Sequence, residues 1–388
     1  MKHRGRTSSF PICRERVGRT LRRIAGMASL VILPAVLPAA GEIFASFIAP
    51  ATAQNLRNTE GDLLVRRDGT LLAAWADFYD GSRDDAPARI SAAHSNDGGR
   101  TWGDRFTLQE NTGKANVMSV SFLRSRTGDV LFFFLQKNSL TDLKAYVRRS
   151  VDDAKTWGDP VLVTPEAGYH VMNNARVIQL KSGRLLAPVA TSAQVWTKND
   201  NFRTVVYRSD DDGRTWTRGT TLVSAPKRGA MEPGLIEMKD GRVMQIIRTQ
   251  TGYIWRAFSS DGGDTWTEAE PWTIESPESP ATLVRVPGSG EWLLVWNPKV
   301  TWGNPERTVL GANHGGVRTP LVAAISRDEG VTWSEPRAIE SDLANTYAYT
   351  SATFAGDRLL LTYYHFPQGG KQLSLKFESV PLSWLLAQ

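Results

Sequence analysis

Six short apolar runs recur along the chain, and each follows a turn that contains glycine. The turn glycines are Gly69, Gly128, Gly183, Gly241, Gly290 and Gly356. The runs are rich in leucine, valine, isoleucine and aromatic residues, a composition typical of β-strands. A strand that begins just after a glycine turn is typical of the second half of a hairpin. The pattern therefore predicts six β-hairpins and little helix.

A second repeat of eight residues is interleaved with the first. It has the sequence Ser-x-Asp-x-Gly-x-Thr-Trp and occurs at 95–102, 150–157, 209–216, 259–266 and 326–333. Only the second copy departs from it, with Ala154 in place of glycine. In such a turn the aspartate accepts hydrogen bonds from backbone N–H groups, glycine permits a positive φ, and tryptophan is an apolar anchor. We interpret the five copies of this repeat, called boxes below, as turns with a structural role.

The spacing of the boxes indicates a repeat architecture. Successive box serines are 55, 59, 50 and 67 residues apart, the size of one supersecondary unit. Each unit predicts four antiparallel strands, and such a blade stacks with others around a central axis because it cannot bury both faces alone. We therefore expect an all-β, six-bladed β-propeller of four-stranded antiparallel blades over residues 54–388, with the unboxed sixth unit closing the ring.

The first 53 residues differ in composition from the rest. They hold Lys2, seven arginines, an apolar stretch around residues 30–37 and the small-x-small sequence Ala51-Thr52-Ala53 before Gln54. This order is typical of a secretory signal. We expect residues 1–53 to be removed near Ala53, by Sec or twin-arginine export, and the mature protein to be secreted or periplasmic. A membrane anchor is the alternative, although prolines and a glutamate interrupt the apolar stretch.

Removal of that segment changes the charge and the cysteine content. The chain has 46 Lys and Arg and 40 Asp and Glu, of which residues 1–53 hold eight and two, so 38 of each remain. A neutral mature chain gives no reason to expect nucleic acid or a membrane surface as a partner. Cys13, the only cysteine, lies in the same segment, and the histidines lack ligand spacing. No metal or cofactor is expected.

Polar residues occupy positions that should line the central channel. Counting back nine residues from each turn glycine gives spatially equivalent positions near the start of the innermost strands. These positions are Glu60, Ser119, Asn174, Glu232 and Ala281, with Tyr349 near the sixth. A carboxylate is costly to bury unless it is paired or used. We therefore interpret Glu60 and Glu232 as groups that face each other across a functional cavity.

With its boxes and turns in register, the mature chain resembles the sialidase (neuraminidase) superfamily, and glycoside hydrolase family 33 in particular. The segments that carry the resemblance are GSRDDAPARI, MEPGLIEMKDGRVMQIIR, GGVRTPLVAAISRDEGVTW and AYTSATFAGDRLLLTYY. The family uses a tyrosine nucleophile, a glutamate that activates it, an aspartate acid/base and three arginines that bind the substrate carboxylate. The resemblance thus implies Tyr349 as nucleophile, Glu232 as activator, Asp84 or its neighbour Asp85 as acid/base, and carboxylate binding by Arg248 and Arg318.

These residue types suit that chemistry. A neutral phenol is a poor nucleophile and needs a nearby base, which Glu232 would supply. A tyrosine also suits an anomeric carbon that already bears a carboxylate, because a carboxylate nucleophile would be repelled. Planar guanidinium groups bind carboxylates in a bidentate manner.

The first strand departs from the family pattern. Where the family has Phe/Tyr-Arg-Ile-Pro, this chain has Thr59-Glu60-Gly61-Asp62. A glutamate there would repel a substrate carboxylate. Either another guanidinium group, such as that of Arg89 or Arg176, compensates from a neighbouring position, or the substrate is not N-acetylneuraminic acid.

Three functions remain open from the sequence. The first is a secreted, retaining exo-glycosidase for terminal acidic sugars of the sialic-acid type or other 2-keto-3-deoxy sugars. In it Asn174 either binds sugar hydroxyls or caps the start of a strand. The second is a hydrolase or lyase for another acidic glycan that uses Glu60 and Glu232 as paired carboxylates. The third is a non-catalytic glycan-binding propeller. We expect the first.

Overall fold

The protein is almost entirely β-structure. The computed structural model describes residues 41–197, 201–299 and 317–387, and the basic region and apolar stretch of the predicted signal lie outside these residues. In chain order the strands are β1 Phe44–Ala49, β2 Arg57–Val65, β3 Leu71–Phe78, β4 Ala88–Ser95, β5 Phe106–Gln109, β6 Asn116–Arg124, β7 Val130–Ser139, β8 Asp142–Ser150, β9 Val161–Leu162, β10 Gly168–Val171, β11 Ile178–Gln179, β12 Leu185–Ser192, β13 Arg203–Ser209, β14 Thr217–Arg218, β15 Met231–Glu237, β16 Val243–Arg248, β17 Tyr253–Ser259, β18 Glu270–Glu275, β19 Thr282–Arg285, β20 Trp292–Trp296, β21 Leu321–Ser326, β22 Arg337–Glu340, β23 Asn345–Ala355, β24 Arg358–Pro367 and β25 Ser374–Pro381. A short helix, α1 Leu382–Leu386, follows β25. The all-β prediction is confirmed.

The described strands form five sheets. Four sheets have four antiparallel strands each: β2 to β5, β15 to β18, β19 to β22, and β23 to β25 with β1 added at the edge of β25. Strands β6 to β14 form one nine-stranded sheet. Within it β10 pairs parallel with β8 and antiparallel with β12, and thereby joins two antiparallel groups.

All six predicted hairpins are present. Strands β3, β7, β12, β16, β20 and β24 each begin two residues after their turn glycine and pair antiparallel with the strand before the turn. Every residue of β3, β16 and β20 is buried. Both faces of these strands are buried, which explains why apolar residues occupy successive positions in them rather than alternate ones.

The five boxes form the same hydrogen-bonded turn at the end of the third strand of each unit. In the third box Ser209 Oγ donates to Asp211 Oδ1 at 2.7 Å, Gly213 N–H donates to Ser209 Oγ at 2.7 Å, and Thr215 Oγ1 donates to Asp211 Oδ2 at 2.6 Å. The other four boxes repeat these bonds. Partial burial raises the pKa of Asp211, but the hydrogen bonds from Thr215 and Ser209 outweigh it and lower the pKa to about 2.

The glycine position of each box has a positive φ, which glycine adopts without strain, and in the first box glycine is also needed for space. Gly99 has a φ of 96°, and a Cβ atom there would overlap the Phe377 ring. Ala154 adopts the same left-handed region with a φ of 65°. Its N–H still donates to Ser150 Oγ at 2.8 Å, so the second box keeps its turn without glycine.

Contacts between strands of neighbouring sheets bring the sheets around a central region in a β-propeller-like arrangement. Strand β2 contacts β6 and β23, β15 contacts β12 and β19, and β19 contacts β23. Asn174 Nδ2 donates to the main-chain oxygens of Gly61 and Tyr349, each at 2.8 Å, and so links three sheets. The described part of the chain contains no helix that is long and apolar enough to span a bilayer.

Candidate active site

Three predicted site residues occupy equivalent backbone positions in different sheets. Glu60, Glu232 and Tyr349 each lie at a β-bulge in the first strand of their sheet, with φ values of 54°, 40° and 58°. Ser119 lies at the corresponding bulge of β6, with a φ of 55°. Positive φ is strained for residues other than glycine, and bulges turn side chains out of the regular pleat. Here the bulges turn four polar side chains toward one cavity.

This cavity has a volume of about 610 Å³. It is lined by six of the nine predicted site residues: Glu60, Asp84, Glu232, Arg248, Arg318 and Tyr349. Another part of the wall is apolar, with Met118, Leu135, Leu143, Val171, Ala190, Val195, Phe202 and Met231. The cavity therefore combines a charged region with an apolar one, as is usual for sites that bind small organic ligands.

Tyr349, Glu232 and Arg248 form one hydrogen-bonded group. Tyr349 Oη donates to Glu232 Oε1 at 2.9 Å, and Arg248 Nη1 lies 2.6 Å from Glu232 Oε2 and 3.3 Å from Tyr349 Oη. Burial raises the pKa of Glu232, but the charge and hydrogen bond of Arg248 outweigh it and leave the pKa below its usual value. Burial, and then the Glu232 charge, raise the pKa of Tyr349. The pair thus consists of a protonated phenol and an ionised carboxylate that can accept its proton.

Arg318 holds a buried positive charge beside that group. Its guanidinium carbon lies 5.6 Å from the centroid of the Tyr349 ring, and Nη1 donates to Tyr364 Oη at 3.1 Å. Nη2 donates to the main-chain oxygen of Glu278 at 2.9 Å. Among the described residues no carboxylate forms an ion pair with Arg318, whereas Arg248 pairs with both Glu232 and Glu278. The Arg318 charge is therefore available to an anionic ligand.

A second charged group lies where the first strand enters the cavity. Arg57 Nη1 lies 2.5 Å from Asp84 Oδ1 and Arg57 Nη2 lies 3.1 Å from Glu60 Oε1. Ser119 Oγ donates to Glu60 Oε2 at 2.7 Å. Burial raises the pKa of Glu60, although Arg57 and Ser119 oppose the shift. One guanidinium is thus shared by two carboxylates, one buried and one, Asp84, on a more exposed loop.

The remaining three predicted residues do not line the cavity. Arg89 Nε donates to the buried Asp77 at 3.1 Å, and Arg176 Nε donates to Asn173 at 2.8 Å. Burial lowers the pKa of Arg176 to about 10. The Asn174 side chain donates to main-chain oxygens of two other sheets. The guanidinium groups that line the cavity beside those of Arg248 and Arg318 are therefore those of Arg57 and Arg228, and not those of Arg89 or Arg176.

Asp84 and Asp85 are also distinguished by the structure. Asp84 lines the cavity, whereas Asp85 pairs with the exposed Arg83 at 3.0 Å outside it. Sequence reasoning missed several further polar residues of the cavity wall, among them Arg57, Lys137, Arg228 and Tyr364. In the parts of the chain that the structure describes, no cluster of histidine, cysteine and carboxylate side chains is arranged to hold a metal ion.

Comparisons with known proteins agree with this architecture. A family model described as a BNR repeat-like domain matches residues 69–365. The sialidase of Micromonospora viridifaciens is 26% identical over 355 residues, which are 83% of this chain and 51% of that protein. The chain spans about half the length of the curated relatives it matches.

Two solved structures illustrate the shared fold. The Trypanosoma rangeli sialidase in complex with 2,3-difluorosialic acid superposes with a TM-score of 0.68 at 18% identity, over 90% of this chain and 60% of that one. A protein of unknown function from Dyadobacter fermentans superposes with a TM-score of 0.69 at 19% identity, over 87% of this chain and 99% of that one. At these identities the likeness concerns the fold alone.

Proposed function

Because the chain belongs to the sialidase superfamily of BNR repeat-like proteins, we propose that it is a sialidase-like exo-glycosidase. Its substrates are terminal acidic sugars of the sialic-acid type or other 2-keto-3-deoxy sugars, which it hydrolyses with retention. The observation that carries this proposal is the 2.9 Å hydrogen bond from Tyr349 to Glu232 inside a cavity rich in guanidinium groups. It pairs a nucleophile with its base.

The proposed reaction has two balanced steps. In the first, Tyr349 Oη bonds to the anomeric carbon and its proton passes to Glu232. The bond to the leaving-group oxygen breaks, and Asp84 gives that oxygen a proton. In the second step Asp84 takes a proton from water, the hydroxide replaces Tyr349 at the anomeric carbon, and Glu232 returns the proton to the tyrosine. Two displacements at one carbon retain its configuration.

The charges of the cavity wall support an acidic substrate. Among the described lining residues, five are cationic, Arg57, Lys137, Arg228, Arg248 and Arg318, and three are carboxylates, Glu60, Asp84 and Glu232. This positive excess favours an anionic ligand, and the planar guanidinium groups suit a carboxylate.

Arg57 links substrate binding to the acid. Its ion pair with Asp84 stabilises the carboxylate form, which cannot donate a proton. A substrate carboxylate that binds Arg57 competes with Asp84 for the guanidinium and thereby favours protonated Asp84. The protonated form is thus favoured when substrate is in place.

The sheet order supports a six-bladed propeller. We propose that the nine-stranded sheet is two four-stranded blades, β6 to β9 and β11 to β14, joined by the linking strand β10. With the other four sheets this gives six blades. The sixth blade then takes its outer strand from the N-terminal β1, which closes the ring.

A substrate panel tests the proposed function. We expect the protein to release 4-methylumbelliferone from an α-ketoside of a 2-keto-3-deoxy sugar, with the α-anomer appearing first by NMR. Cleavage of aryl uronides or of an acidic polysaccharide instead would favour the second candidate, with Glu60 and Glu232 as paired carboxylates. Binding of these glycans without turnover would favour a glycan-binding propeller.

The placement of β1 bears on export. Strand β1 pairs with β25 from Phe44 to Ala49, Ser46 Oγ donates to the Gly99 oxygen at 2.6 Å, and Trp102 Nε1 donates to Ser46 Oγ at 3.0 Å. Cleavage after Ala53 would remove this strand and leave the β25 edge unpaired. We propose that the protein is exported and that its leader ends upstream of Phe44. N-terminal sequencing of the exported protein should give a start before Phe44, and a start at Gln54 would contradict this.

A further inference from the structure

Lys137 is a buried charge without an acidic partner. It lies on β7, lines the cavity and is 1% exposed. Its Nζ donates to the main-chain oxygen of Asp84 at 2.6 Å, and the centroid of the Tyr169 ring lies 5.6 Å away. With the residues that the structure describes, Lys137 forms no ion pair.

This arrangement is costly for the folded chain. Burial lowers the pKa of Lys137, which shows that the surroundings disfavour the ammonium form, although the Asp84 and Glu60 charges oppose the shift. An apolar side chain of similar length would pack beside Leu135 and Leu143 without that penalty. The presence of a lysine here therefore indicates that the hydrogen bond from Lys137 to the main-chain oxygen of Asp84 has a function.

The hydrogen bond acts on the loop that carries Asp84. This loop connects β3 and β4, and much of it is exposed, including Arg83, whose side chain is 86% exposed. Asn116 Nδ2 donates to the main-chain oxygens of Asp84 and Ala86 at 2.8 and 2.9 Å. Lys137 and Asn116 belong to the neighbouring nine-stranded sheet, so two side chains from one sheet hold the loop of another.

We propose that Lys137 is a positioning residue that fixes the acid/base group by holding the main-chain carbonyl of Asp84. The inference rests on the proposed function, in which Asp84 protonates the leaving group. Lys137 does not touch the reacting atoms. Its contribution therefore depends on how much the leaving group needs a proton, because a phenolate leaves readily without one and a sugar alkoxide does not.

Leaving-group dependence is the first test. Lys137→Met should lower kcat/KM for a ketosidic disaccharide by about 10- to 100-fold, as loss of a supporting hydrogen bond commonly does. The same variant should lower kcat/KM for the aryl ketoside of the same sugar by a clearly smaller factor. Loss of the Lys137 charge from the cavity weakens the binding of both substrates alike, and only the disaccharide also needs the proton. Lys137→Arg keeps a cationic donor and should recover much of the disaccharide activity. Equal losses on both substrates, or no loss on either, would overturn the proposal.

Lys144→Met is the matched control. Lys144 lies on the adjacent strand β8, does not line the cavity, and its Nζ lies 3.5 Å from the main-chain oxygen of Pro165. We expect this variant to keep both activities. A leaving-group effect as large as that of Lys137→Met would show that loss of any nearby lysine is sufficient, and would overturn the proposal.

Limited trypsin digestion tests the loop contact without any substrate. A released loop exposes the bond after Arg83, so cleavage there should be several-fold faster in Lys137→Met than in the wild type or Lys144→Met. Unchanged cleavage would overturn the positioning role. If the loop is released but the wild type cleaves neither ketoside, the positioning role stands and the proposed function fails.

Discussion

Replacing Tyr349 with phenylalanine is expected to lower kcat/KM on the aryl ketoside by at least about 10³-fold, because the variant lacks the nucleophile. The ring itself can remain where it is. It lies 5.8 Å from the Tyr364 ring and 5.6 Å from the Arg318 guanidinium, and neither contact needs the hydroxyl. Only the hydrogen bonds to Glu232 and Arg248 are lost. Steady-state kinetics on purified protein, with thermal unfolding to check the fold, measure this.

Tyr347→Phe is the control for loss of a buried tyrosine hydroxyl. Tyr347 lies on the same strand, is buried, donates from Oη to the main-chain oxygen of Asp342 at 3.3 Å, and does not line the cavity. We expect it to cost about 1 kcal/mol of unfolding free energy, the usual net value of one hydrogen bond, with activity retained. Full activity in Tyr349→Phe would exclude the tyrosine as nucleophile, and would favour the paired carboxylates Glu60 and Glu232.

The repeat units could be predicted because their signals are local. A glycine turn and the following apolar strand depend on residues within about ten positions of each other, and so does the box. The six strands that begin two residues after Gly69 and its equivalents follow directly from this. The pairing of β1 with β25 joins the two ends of the described chain and has no local signal. The sequence pattern therefore places residues 44–49 in the leader, whereas in the structure they pair with β25.

The sequence predicts those residues of the site whose positions follow from counting along the first strand of each unit. Counting from the turns reaches Glu60, Glu232 and Tyr349 because each lies at the bulge of its first strand. Arg57 lies further back on β2, and it enters the cavity through the length of its side chain, which a count of residues does not describe. Lys137 follows a strongly apolar run and has the context of a core position. Its partner, the Asp84 carbonyl, belongs to another sheet.

Replacing Glu232 with glutamine is expected to lower kcat by about 10²- to 10⁴-fold, the usual contribution of a general base. Glutamine has nearly the same size and can still accept a hydrogen bond, but it cannot take the proton of Tyr349. The variant should still bind substrate, because Arg57 and Arg318 are unchanged. The loss should therefore be seen in kcat more than in KM.

Glu278→Gln is the control that distinguishes loss of the base from loss of a negative charge beside Arg248. Glu278 Oε1 lies 3.2 Å from Arg248 Nη2, so this change also removes a carboxylate next to Arg248. In the described part of the chain the hydrogen bonds of the Tyr349 hydroxyl involve Glu232 and Arg248, so Glu232 is the carboxylate placed to take its proton. We expect a much smaller loss of kcat than in Glu232→Gln. Equal losses would mean that the Arg248 charge, and not the base, limits the reaction.

The pH profile gives Glu232 a signature of its own. Only the carboxylate accepts a proton, so activity must fall as the pH falls through the pKa of Glu232. Because Arg248 holds this pKa below the ordinary glutamate value of about 4.3, activity should persist to a lower pH than an isolated glutamate would allow. The residual activity of Glu232→Gln should lack that acidic decline. If wild-type activity instead declines around a pH well above about 4.3, and Glu232→Gln shows the same decline, the titrating group is not Glu232. The buried Glu60, whose pKa is raised, would then be the acid or base that limits turnover.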